Sequence, residues 1–278
     1  MGFKEKVLER LFLFSAFAAV TGVILIFVFV SVKGLPIFKA TSIFSFLFGL
    51  DWSPTKEHFG ILPLIIGSFA VTLGALILGA PLAITTAIFL SEIAAPRVKA
   101  IVRPAVELLA GIPSVIYGFF GLVVLVPLVR LLFGGSGFGL LTGWLVLAIM
   151  ILPTIAAISE DAISSVPRSY REGSLAMGAT QWQTIWRVVL PAARPGLISA
   201  TILGMGRAIG ETMAVLMVLG NASIIPRTLT DPVGALTSII ALDMSYASGS
   251  HQTALFAMGI VLFLISFFFV ALIRLISR

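Results

Sequence analysis

Six stretches of the chain are almost unbroken in apolar residues, at roughly 11–32, 61–90, 104–129, 140–158, 197–220 and 253–275. Each approaches or exceeds the about 20 residues that an α-helix needs to cross a bilayer. The pattern therefore predicts an all-α integral membrane protein, one transmembrane domain over 1–278 with six transmembrane helices and both termini on the same side. The first run is about twice the length of a signal-peptide core, so it reads as a retained helix although Lys4, Lys6 and Arg10 precede it. The second is interrupted by Pro63, Gly67, Gly74, Gly79 and Pro81, which suit close packing and bending between helices. Gly111 and Pro113 predict a kink in the middle of the third. The fourth carries Pro153 and no charge. Outside the runs, 33–60 holds Phe38, Phe44, Phe46, Phe48 and Trp52, which predict a short helix lying in the outer interface. The glycine-rich stretch 134–139 lacks the Gly-Lys-Ser/Thr of a phosphate loop and reads as a flexible turn.

One long polar segment, 160–196, separates the fourth run from the fifth. Pro167 suits the first turn of a helix and Gly178 the left-handed residue that ends one, so a short helix is expected over 167–177. Thr180 and Gln183 have capping-box spacing and open a second helix, which Pro191 and Pro195 are expected to close. Trp182, Ile185, Trp186 and Val189 recur at helical spacing as one apolar stripe suited to a membrane interface. Amphipathicity alone is consistent with a helix pair resting on lipid. The order of residues says more. Glu172, Gly173 and Ser174, then Gly178, then Val188, Val189, Leu190 and Pro191 resemble the Glu-Ala-Ala, x3, Gly, x9, Ile-x-Leu-Pro signature of membrane subunits of ABC importers. Gly173 and Ser174 replace the two alanines, and Val188 the isoleucine; all three stay small or aliphatic. The resemblance implies that 160–196 is a cytoplasmic coupling loop seated in a cleft of an ATPase, with Glu172 and Gly178 at the centre of the contact.

Composition sharpens the class and charge sets the topology. The 278 residues are 59% hydrophobic and only 11% charged, against about 25% charge in soluble domains. The net charge of +6 is explained by placement rather than by a nucleic-acid partner. With the N-terminus inside, Lys4, Lys6, Arg10, Arg97, Lys99, Arg103, Arg168, Arg171, Arg187, Arg194, Arg274 and Arg278 fall on the inner side. Lys33, Lys39, Lys56, Arg130 and Arg227 fall outside. That bias puts both termini and the coupling loop in the cytoplasm. The absence of cysteine excludes disulfides and thiolate metal sites. His58 and His251 stand apart from any second ligand at metal spacing and read as exposed loop residues. Arg227, Asp231 and Asp243 likewise read as solvated. An intramembrane hydrolase would need a histidine at membrane depth, and both histidines lie between the runs.

Two charges remain inside the fifth run, Arg207 and Glu211. Counted from Gly196, Arg207 comes about 16 Å in, near the bilayer midplane, with Glu211 one turn further on the same face. A charge at that depth is rarely without a use; the plainer alternative is an internal salt bridge. Gly204, Gly206 and Gly210 clear space around Arg207 or make a close helix contact. Glu107, only one turn inside, is either an interfacial acid or the i,i+4 partner of Arg103. Lys99, Arg97 and Arg103 read as topological signals.

The strings ELLAGIPSVIYGFF at 107–120 and GMGRAIGETMAV at 204–215 are similar to those of PstC-type permease subunits of phosphate ABC importers, a type I importer family. The likeness implies a multi-pass protein of the cytoplasmic (inner) membrane that moves inorganic phosphate by alternating access. It implies a PstA-type second permease, two ATPase subunits carrying ATP and Mg, and an extracytoplasmic phosphate-binding protein as partners besides membrane lipid. It also implies substrate contact at Arg207 and Glu211, and ATPase coupling through Glu172, Gly173, Ser174, Gly178, Leu190 and Pro191. Neither a catalytic residue nor a cofactor or metal on the chain itself is expected, since there is no phosphate loop to hydrolyse ATP. Other oxyanions, molybdate or sulfate, are the alternative substrates.

Overall fold

A computed structural model describes residues 3–276. Arg278 lies outside the described residues, as do the side chains of Lys4 and Lys6. The described chain is mostly helical and contains six helices long and apolar enough to cross a membrane. The first crossing is α1 (Phe3–Gly34), followed by the short α2 (Ile43–Phe48), and the second is α3 (Leu62–Ile88). The helix α4 (Pro96–Ala110) precedes the third crossing, formed by α5 (Ser114–Phe120), a wide turn at Gly121–Leu125 and α6 (Val126–Phe133). The fourth is α7 (Leu140–Ser164). The short α8 (Arg168–Ala176) leads to α9 (Gln181–Thr184), which continues through a π turn into α10 (Leu190–Ile209) as the fifth. After α11 (Met213–Val218) and α12 (Leu236–Asp243), α13 (Gly249–Ile276) is the sixth.

The centre is the triple packing of α3, α7 and α10. Small residues permit it. A Cβ on Gly74 would sit 1.9 Å from the ring of Trp144, and that indole donates to the Ala70 carbonyl at 2.9 Å. Further along α7, a Cβ on Gly204 would lie 2.5 Å from Ile155. Gly204 is therefore a packing glycine, whereas Gly206 faces open space. Val71, Leu147, Ile151 and Ala200 fill the shared core. By contrast α1 lies outside this core and meets α13, where Phe27 and Phe263 approach to 4.8 Å.

Three boundaries and one apolar stripe differ from those the sequence predicts, the boundaries for backbone reasons. The third crossing begins at Ser114 rather than at 104, because Gly111 and Pro113 break the helix outright. Residues 96–110 become a separate amphipathic helix outside the six spans. Pro191 and Pro195 do not close a helix: 181–209 is one continuous span. The π turn at Ile185–Val189 reroutes the backbone bonds just before Pro191, so the missing N–H causes no stop. The polar connection is correspondingly shorter than 160–196, since α7 runs to Ser164 and the next helix opens at Gln181. Finally, the apolar stripe on that helix divides: Ile185 and Val189 are buried, while Trp182 and Trp186 stack edge to face in the open.

The segments at the opposite end from α8 are more tightly fastened than the sequence suggests. The aromatics of 33–60 do supply a short helix, but Phe46 is fully buried against the body. A two-residue ladder pairs Trp52–Ser53 with His58–Phe59. His58 is exposed yet holds Asp51 at 2.8 Å. The Ser53 hydroxyl, then His58, hold the Asp51 carboxyl below its usual range. Asp243 is buried rather than solvated. It accepts from the Trp52 indole and the Tyr246 hydroxyl and meets His251 Nε2 at 3.2 Å. That hydroxyl bond is the main reason the Tyr246 phenol is pushed up to about 12. The glycine turn is likewise fastened, with Arg130 Nε donating to the Ser136 carbonyl at 2.9 Å and the Thr142 hydroxyl to the Gly137 carbonyl at 2.6 Å.

Candidate functional site

The mid-membrane site is built where α10 ends. Gly210 breaks that helix, and Glu211 turns its carboxylate onto the free backbone N–H of Ala214 at 3.0 Å, capping α11. The Thr237 hydroxyl donates to the Glu211 carbonyl at 2.8 Å and ties the break to α12. Arg207 and Glu211 therefore do not share one helical face, and among the described residues they make no ion pair. Arg207 instead reaches across to α7 and donates from one terminal nitrogen to the Thr154 hydroxyl at 3.1 Å. Thr154 is roughly 21 Å from one end of α7 and 15 Å from the other at about 1.5 Å per residue, so the guanidinium meets the fourth crossing well inside its length. Tyr117 of α5, within electrostatic reach of Arg207, is buried and donates to the Leu109 carbonyl at 2.7 Å.

A guanidinium has five N–H donors, and this one makes a single hydrogen bond among the described residues. Arg207 and Glu211 are half-buried, and Gly206 and Gly210 leave the neighbouring surface of α10 bare. The result is a fixed positive charge presented on an open face, with a neutral hydroxyl orienting it and unused donors suited to the oxygens of a small anion. Thr154 and Tyr117 were not singled out from the sequence. Pro153, next to Thr154, is the only local signal there.

The end of the molecule that carries α8 is assembled differently. Gly178 adopts φ +82, the Gly178 N–H bonds the Leu175 carbonyl and the Ala179 N–H bonds that of Ser174, the double bond of a Schellman ending. The capping box is present in both directions, Gln183 N to Thr180 Oγ1 at 3.2 Å and Thr180 N to Gln183 Oε1 at 2.9 Å. Glu172, Gly173 and Gly178 lie exposed together, beside Met177 at 88% exposure. Ser174 is turned inward and shares a hydrogen bond with the Thr184 hydroxyl at 2.9 Å. Leu190 packs into the inner core and Pro191 sits in the first turn of α10, so neither joins that exposed group.

Three further charges act at this end beyond their topological count. Glu160, with its side chain 3% exposed, receives Lys99 at 2.8 Å and Arg103 at 3.4 Å. Arg103 also holds Glu107 at 3.0 Å, the i,i+4 pair expected from the sequence, and Asp161 at 3.5 Å. Glu107 first, and then Glu160, push its guanidinium still further up. Arg171 of α8 binds Glu92, with Nη2 to Oε1 at 2.6 Å and Nε to the two oxygens at 3.2 and 3.3 Å. Glu92 belongs to the π turn Phe89–Ile93 that extends α3. The same guanidinium donates to the carbonyls of Ile163 and Val166 at the end of α7. Glu92 lies 79 residues away in the chain, and no local pattern announces the pair.

The model of the family "Binding-protein-dependent transport system inner membrane component" matches residues 79–278. The chain is 49% identical over 258 residues to a probable ABC transporter permease protein, YqgH, of Bacillus subtilis, covering 90% of this chain and 83% of that one. It is 41% identical over 243 residues to the phosphate transport system permease protein PstC of Pasteurella multocida, covering 80% and 76%. Among solved structures, a bacterial ABC transporter involved in import of the acidic polysaccharide alginate aligns over 100% of this chain and 99% of its own, with TM-score 0.65 and 19% identity. The inward-facing MetNI methionine ABC transporter aligns over 76% and 91%, with TM-score 0.55 and 25% identity.

Proposed function

Because the chain belongs to the family of binding-protein-dependent transport system inner membrane components, we propose that it is the PstC-type permease of an ATP-driven phosphate importer. The observation that carries the substrate class is Arg207: one fixed guanidinium at mid-membrane, held by the neutral Thr154 and exposed on a bare face. Relatives named as phosphate transport permeases support phosphate over other oxyanions. A PstA-type second permease covers the open face and completes the path. The protonated phosphate binds the forked donors of Arg207 as it crosses. Glu211, spent on capping α11, lowers the positive field without occupying the guanidinium, so the anion is held weakly enough to leave.

The energy comes from outside the chain. Two ATPase subunits, holding ATP and Mg, seat against the exposed Glu172, Gly173 and Gly178, with Ser174, Leu190 and Pro191 setting the shape of the segment behind them. Their closure rocks α3, α7 and α10 about Arg207 while an extracytoplasmic binding protein delivers phosphate from the outer face. The protein lies in the cytoplasmic membrane with both termini and the docking loop inside. A Met177→Cys probe in this cysteine-free chain is therefore expected to resist impermeant thiol reagents in whole cells and to react in inverted vesicles.

The deciding experiment measures ATP turnover and uptake by the reconstituted complex with phosphate, sulfate or molybdate. Phosphate alone is expected to drive uptake. Stimulation by molybdate or sulfate instead would transfer the same site to another oxyanion, and uptake unchanged in Arg207→Ala would remove Arg207 from the path.

A further inference from the structure

The docking helix has no buried residue of its own. A helix that must deliver force to the membrane helices is thus not anchored by an apolar face, and its fastening is polar. Apart from the Ser174 and Thr184 hydroxyl pair, that fastening is one side chain. Arg171 spans three elements: it leaves α8, forks onto the Glu92 carboxylate in the π turn extending α3, and donates to two carbonyls closing α7. The Ile163 carbonyl lies in the last turn of α7, where a cation is favoured, and that of Val166 lies two residues beyond the helix. Glu92 is itself held, because the Gln181 side chain donates to its backbone carbonyl at 3.0 Å. The carboxylate is 9% exposed and the guanidinium 21%, so the pair is shielded from the screening that weakens surface ion pairs.

We infer that the Arg171–Glu92 knot is the mechanical link through which movement of the docking helix reaches α3 and α7, the first of which packs along α10 and the second of which carries Thr154. Arg171 and Glu92 are positioning residues. This inference rests on the reading of α8 as the ATPase docking helix. A lysine at 171 keeps the charge but not the planar fork that holds a carboxylate and two carbonyls at once. Without the fork the docking helix can follow the ATPase while the membrane helices lag.

The test uses the full complex in proteoliposomes and reads phosphate moved per ATP hydrolysed. Arg171→Lys and Glu92→Gln are both expected to keep the ATPase co-purifying and hydrolysing, while that ratio falls about tenfold, the size expected for losing a charge-assisted bond. A merely structural role would lower yield and both rates together and leave the ratio unmoved. Ratios within about twofold of the parent in both variants would overturn the inference, since a lost charge-assisted bond is worth more than that. Loss of the ATPase from the Glu92→Gln complex would overturn it too, placing Glu92 in the docking surface instead. If Glu92→Gln reduces yield, Arg171→Lys decides alone. The docking assignment fails separately: Gly178→Trp would then leave the ATPase bound.

Discussion

The charges around α8 and those within the crossings live under opposite rules. Arg171 meets a carboxylate and two carbonyls, Arg103 meets three carboxylates, and Lys99 closes on the buried Glu160. Arg207 has one hydroxyl. A charge with a full set of opposite partners is already neutralised and serves the architecture. A charge oriented by a neutral group keeps its field and its donors for something that arrives later, at the depth where keeping them is most costly. Burial alone would not separate the two classes; partner sets do.

The strongest way to break this contrast is Arg207→Ala. Uptake is expected to fall by about a hundredfold or more, the usual loss when a preorganised oxyanion donor is removed. Membrane insertion and thermal stability of the purified complex should stay those of the parent, because no carboxylate is orphaned. A large loss of stability with normal uptake per folded molecule would place Arg207 with the architectural charges.

Lys99→Met makes the converse case. It strips the nearest partner from the Glu160 carboxylate and leaves only Arg103 at 3.4 Å. Stability is expected to drop by about 1–3 kcal/mol, the range for a buried acceptor losing a charged partner, readable as a lower midpoint in thermal unfolding. Uptake per folded complex should not change.

How much of this contrast could be read from the sequence depends on the range of the interactions. The six crossings, the left-handed Gly178, the Thr180 and Gln183 box and the Arg103–Glu107 pair all follow from residues within a few positions of one another. The sequence also points to Arg207, since a lone arginine in an apolar run needs no neighbour to be conspicuous. What stays hidden is long-range or competitive. Glu160 with Lys99 and Glu92 with Arg171 join distant stretches, so charge counting saw only topology. Arg207 and Glu211 lose the expected common helical face because Gly210 and the capping demand of α11 outcompete helical continuity. Pro191 misled in the opposite sense, because a π turn absorbs its missing donor.

Thr154→Val sharpens the comparison from the neutral side. It keeps shape and volume and deletes the one hydroxyl that orients Arg207. The loss of one hydrogen bond is worth about 1 kcal/mol, so uptake is expected to fall roughly fivefold. Unfolding temperature should be unaffected, and a serine at 154 should restore most of the rate. An uptake rate equal to the parent would show that the guanidinium is oriented by other means.

The smallest effect is expected in the segment between α11 and α12, where Asp231 is another fully satisfied charge. The Thr228 hydroxyl, then the backbone N–H groups of Arg227 and Thr228, hold its carboxyl below the ordinary value of 3.8. A depressed folded value means that the stabilisation of this turn is fully present above the unfolded value and is lost as pH falls through the folded one. Hydrogen exchange of the 227–231 amides should therefore be insensitive to this carboxyl from neutrality down to about pH 4 once intrinsic exchange rates are divided out, and should rise only below it. Asp231→Asn removes the charge and one of the two acceptor oxygens. It should loosen the turn slightly at neutral pH, abolish the acid-side rise, and leave phosphate uptake alone. If uptake fell with it, a charge with a complete partner set at the far end from the Arg171–Glu92 knot would be acting on the substrate, and counting partners would no longer separate the charges that hold the fold from the one offered to the anion.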